Sequence, residues 1–171
     1  MDKFLSLQCL YLSIFNFFLF PQLYPDFKPI FFAPYLVASF YKLSKEKVLV
    51  HALILGIFCD TASSYIFGVH AFLYVITSAI LYKTHKIFLK EKWLSLPIIT
   101  SIYSVIFVYL SYPTLAFFNY TMTWSLASLV SDAKHTVVVG FIYSIITYIL
   151  PSMITRSILK ITTLLKKLLC Y

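Results

Sequence analysis

The chain has 171 residues, 61% of them hydrophobic and 19% aromatic, and only 12% carry a charge, whereas soluble domains run closer to a quarter charged. A mean hydropathy of +0.88 excludes a water-soluble core of this size and points to an integral membrane protein in one domain. The net charge of +8 does not mark a nucleic-acid binder, because the basic residues fall in short loops between apolar runs, where membrane orientation places them.

In chain order, residues 4–20 read as a first span. The run ends in Phe-Leu-Phe-Pro-Gln, without the small residues of a signal-cleavage site, so the span is expected to stay uncleaved. Pro21, Pro25 and Pro29, with Asp26 and Lys28, predict a stiff loop in which proline blocks helix continuation. Residues 30–41 follow, with Pro34 inside, and as a helix they cover roughly 18 Å of a ~30 Å hydrocarbon core. Lys42, Lys45, Glu46 and Lys47 close that short segment.

The run from Lys47 to Tyr82 is too long for one span of about 20 residues and short for two. It predicts a helical hairpin, 48–60 rising and 68–82 descending, with its bend near the far membrane surface. Lys83, Lys86, Lys90 and Lys92 against Glu91 then mark a cytoplasmic loop. Residues 94–118 form the next span, with Pro97 tolerated in its first turn. Asn119–His135, holding Trp124, reads as an external loop that can be partly helical at the interface, and 136–155 as the last span, interrupted by Pro151. In the tail, 156–171, Arg156, Lys160 and Lys167 share one helical face opposite leucine and isoleucine. Such a helix lies in the cytoplasmic interface with its cations toward anionic lipid headgroups.

The expectation is an all-α polytopic membrane protein of six transmembrane helices around a central hairpin. Both termini are placed in the cytoplasm: the N-terminus, the 42–47 and 83–92 loops and the tail hold every basic residue except Lys28 and Lys134.

Asp60 is the one charge between Lys47 and Lys83, and an ionisable group at membrane depth is costly. Two roles are open to it: a cap for the free N–H groups of the next segment, or a functional charge. His51 and His70 sit on opposite arms of the hairpin, so no shared metal is expected, and each should bond a carbonyl or a neighbouring helix. Thr61, Ser63 and Ser64 have no nearby base but Asp60, a weak nucleophile system. There is no phosphate loop, no His-Glu-x-x-His and no carboxylate pair, so neither an enzyme nor a cofactor is expected. Cys9, Cys59 and Cys170 lack metal or disulfide spacing. Gly56 and Gly68 are expected to allow close backbone approach within the hairpin. A helix too short to span can relieve its mismatch against a partner, which makes Phe31, Phe32 and Tyr35, with Tyr65 and Phe67 at the turn, a candidate partner surface.

The motif Gly56-Ile-Phe-Cys-Asp60, followed by Gly68-Val-His70-Ala71, resembles the signature of the bacterial rod shape-determining MreD family. Pro25-Asp26 is similar to the Pro-Asp that opens the family's second span. The resemblance implies a non-catalytic inner-membrane subunit of the machinery guiding sidewall peptidoglycan synthesis. It also implies three partners: an MreC-like periplasmic scaffold, the actin-like MreB and a peptidoglycan synthase–transpeptidase pair. The family's fold is similar to the substrate-binding S components of vitamin transporters, which supplies the alternative, a small-molecule-binding transporter subunit.

Overall fold

The computed structural model describes residues 2–23, 29–63, 66–84, 92–118, 126–155 and 157. Six α-helices carry most of them: α1 Asp2–Leu23, α2 Ala33–Phe40, α3 Lys45–Ala62, α4 Val69–Thr84, α5 Lys92–Phe117 and α6 Leu126–Ser144. A π-helical turn over Ile145–Ile149 carries α6 on to Thr155. No strand occurs among the described residues, as the sequence predicts. Among the described residues, two helical stretches, Ser95–Phe117 and Ser128–Thr155, are long and apolar enough to cross a membrane.

Two ends of the bundle differ in chemistry. At one, the exposed Lys42, Lys45, Lys47 and Lys83 gather where α2 and α4 finish and α3 and α5 begin. Tyr82 donates its hydroxyl to the Leu43 carbonyl at 3.0 Å, and the Tyr41 hydroxyl lies 3.3 Å from Ser95 Oγ, so these segments share that end. The opposite end holds the α3–α4 turn and a hydroxyl–carboxylate bond from Tyr112 on α5 to Asp132 on α6.

α2 departs most from expectation. Its eight residues cover only about 12 Å, and all eight are buried. The segment Ala-Pro-Tyr-Leu-Val-Ala-Ser-Phe is apolar nearly all round, and such a helix belongs inside a core. Pro34 falls in its first turn, where a missing N–H costs nothing. The Phe32 ring, just ahead of α2, is fully buried and meets Phe17, Phe58 and Tyr74 at centroid distances of 5.7, 6.0 and 6.4 Å. Phe32 and Tyr35, expected to face a partner, therefore fill the chain's own core. The short helix relieves its mismatch against α1, α3 and α5 of the same molecule.

Two boundaries also move. α1, described over Asp2–Leu23, runs through Pro21, which was expected to stop it; the proline forfeits one bond to the Phe17 carbonyl. Residues 126–135, read as a loop with a partly helical alternative, are helical and continuous with α6, because neither proline nor glycine interrupts the sequence before Gly140. Asp132, Lys134 and His135 are thus exposed on the leading turns of α6.

Buried hydroxyls tie the bundle together. Ser101 Oγ donates to the Val137 carbonyl of α6 at 3.2 Å, and the Tyr103 hydroxyl reaches the Tyr74 carbonyl of α4 at 3.2 Å. Where lipid replaces water, such interhelical bonds and close packing hold helices together.

Candidate functional site

The motif residues meet at the α3–α4 turn. Gly56 lets the two arms approach: a Cβ there would lie 2.3 Å from Ala71 Cα and 2.9 Å from the His70 carbonyl oxygen. Gly68 works differently. Nothing lies within 4 Å of a Cβ built on it, and its φ of +100° is what the turn requires. The expectation of close approach is met at Gly56 and replaced at Gly68 by backbone geometry.

Asp60 lies in the last turn of α3 with its side chain fully buried. Oδ2 accepts the N–H groups of Gly68 at 3.0 Å and Ala71 at 3.1 Å. Oδ1 accepts the His70 N–H at 2.8 Å and lies 2.9 Å from His70 Nδ1. The remaining donor of this first turn, Val69 N–H, finds the Ile66 carbonyl at 3.3 Å, and Phe72 N–H opens the regular ladder onto the Gly68 carbonyl at 2.9 Å. One carboxylate, arriving from the preceding helix, thus caps α4 and sets a negative charge at the positive end of its dipole. Its lone pairs are committed to that task. Thr61 and Ser63 donate to the Phe58 and Asp60 carbonyls, closing the end of α3.

His70 was expected to bond a carbonyl or a neighbouring helix, and its ring bonds Asp60 of the neighbouring α3. The particular partner follows from stereochemistry: a helix that begins beside a buried carboxylate brings the second residue of its first turn within reach of the same oxygen.

Two cavities flank this lock. Toward the outside, a groove of about 610 Å³ runs between Phe67, Val69 and Phe72 on one side and Pro113, Phe117 and Phe118 on the other. It is almost wholly apolar, and Phe117 and Phe67 are 81% and 65% exposed. Its α5 wall went unread in the sequence, although the Phe117-Phe118 pair closing that span was a visible cue. Toward the inside, a smaller cavity of about 190 Å³ reaches His70, Ser63 and Tyr74. Phe31, half-buried, also lines it. Pro25, Asp26, Tyr65, Arg156, Lys160 and Lys167 lie outside the described residues.

A basic end, helices fit to cross a bilayer and a hairpin locked by a buried carboxylate define a helical membrane protein. The chain belongs to the MreD family: the family model described as rod shape-determining protein MreD matches residues 3–158. No curated relative and no solved structure matches it. Membership carries a role in rod-shape determination.

Proposed function

We propose that the chain is a non-catalytic subunit of the cell-elongation machinery in the inner membrane, where it guides sidewall peptidoglycan synthesis. The family match over residues 3–158 carries this reading. The chemistry of the motif supports it: the buried acid spends its oxygens on capping α4 and on the His70 ring. The chain crosses the membrane six times, with its lysine-rich end and both termini in the cytoplasm. Arg156, Lys160 and Lys167 hold the tail on anionic lipid.

An MreC-like scaffold with a single span docks at the aromatic rim formed by Phe67, Phe72 and Phe117. Through that scaffold the subunit joins MreB and the synthase–transpeptidase pair. The rim suits this use because its rings are exposed and apolar, Phe67 on the turn, Phe72 on α4 and Phe117 at the end of α5. Depleting the chain from its own cells should turn rods into wide, rounded cells and scatter newly inserted sidewall label. Rods that keep their width and labelling pattern after depletion contradict the reading.

A further inference from the structure

The inner cavity is a candidate ligand site. Its wall draws on α1, the segment before α2, α3, α4 and α5, through Phe17, Phe31, Ser63, His70, Tyr74 and Phe107. Convergence of this many elements on one concave space, with a few polar groups among apolar ones, is what small-molecule sites share.

The wall has a definite chemistry. Phe17 and Phe31 form an edge-to-face pair at 5.5 Å, and Tyr74 and Phe107 a tilted pair at 4.9 Å. These rings offer both faces and edges to a flat guest. Among the described lining residues, side-chain polarity comes from the His70 imidazole, held in one orientation by its bond to Asp60, the Ser63 hydroxyl, and the Tyr74 hydroxyl and Cys59 thiol, which contact each other. Water alone fits such a space poorly, because it needs two to four polar partners and most of this wall is hydrocarbon. The carboxylate is already met by four donor contacts and is fully buried, so nothing here calls for a cationic guest. Nor is this the lipid-facing surface: Cys59, Tyr74 and Phe107 are buried within the bundle.

We propose that this cavity binds an uncharged, planar heteroaromatic molecule, its ring between the aromatic walls and its polar edge toward His70 and Ser63. At about 190 Å³ the space is smaller than the ~300–1,000 Å³ of drug-sized sites, so the guest is a single ring with a small substituent. The proposal stands on the fold and not on the shape-machinery reading. Loss of binding leaves that reading intact, and intact rods after depletion leave binding intact.

The test uses the full chain in nanodiscs with 5-fluoronicotinamide as the probe, followed by fluorine NMR. Ala62 lines the cavity and is exposed, so Ala62→Trp places an indole against the space without replacing Asp60 or His70. His70→Asn keeps a donor for Asp60 but withdraws the imidazole. The expected result is saturable binding to the native chain, weakened at least tenfold by Ala62→Trp and severalfold by His70→Asn. Thermal unfolding of Ala62→Trp should match the native chain. Absence of saturable binding, equal signal from empty nanodiscs, or binding unchanged by Ala62→Trp overturns the proposal.

Discussion

The α3–α4 turn carries two surfaces of opposite character within a few residues. Inside, Asp60 is fully buried and every donor around it is matched. Outside, Phe67 is 65% exposed and faces a groove shared with Phe117. Of the two roles the sequence left open to Asp60, the geometry is that of a cap, while Phe67, expected at a partner surface, is exposed together with Phe117, which the sequence reading did not single out. In a membrane protein this contrast has a physical basis. A buried charge survives only where it is fully bonded, while exposed rings cost nothing in lipid and remain available to another protein.

That contrast breaks first at Asp60. Asp60→Leu removes the acceptor for three N–H groups and the histidine ring, and should cost about 3–5 kcal/mol, the range for breaking a buried pair. Asp60→Asn retains one acceptor oxygen but turns an amide NH₂ toward donors, so it should fall between, at about 1–3 kcal/mol. Thermal unfolding in detergent and the amount of chain in the membrane both report this. A fully stable Asp60→Leu would show that the carboxylate does not hold the turn.

A smaller effect is expected at Gly56. Gly56→Ala places a methyl 2.3 Å from Ala71 Cα, and the obstacle is backbone that cannot swing aside. The hairpin arms must part, at a cost of about 1–3 kcal/mol. Engineered cysteines on the facing surfaces of α3 and α4 should then crosslink more slowly. Unchanged crosslinking and stability would mean that the close approach is not needed.

Much of the layout was legible because composition and charge act along the chain. The apolar runs between lysine clusters mark α1 and α3 to α6 to within a few residues, apart from the leading turns of α6. The Gly56–Ala71 motif also points to the turn. What failed depends on packing. An eight-residue apolar helix reads alike whether lipid, a partner or its own bundle surrounds it, so Phe32 and Tyr35 were misplaced. The Phe67–Phe117 groove joins the α3–α4 turn to the end of α5, and no single stretch of sequence encodes it.

The central claim is that the outer rim, free of duties within the fold, is where a partner docks. Photo-crosslinking in native membranes tests it directly, with the photoreactive residue at Phe67 or, as a reference, at Leu53, 44% exposed on α3. The account predicts that Phe67 captures a single-span membrane protein whereas Leu53 captures lipid alone. Lipid alone at Phe67, or the same protein at both positions, would contradict it.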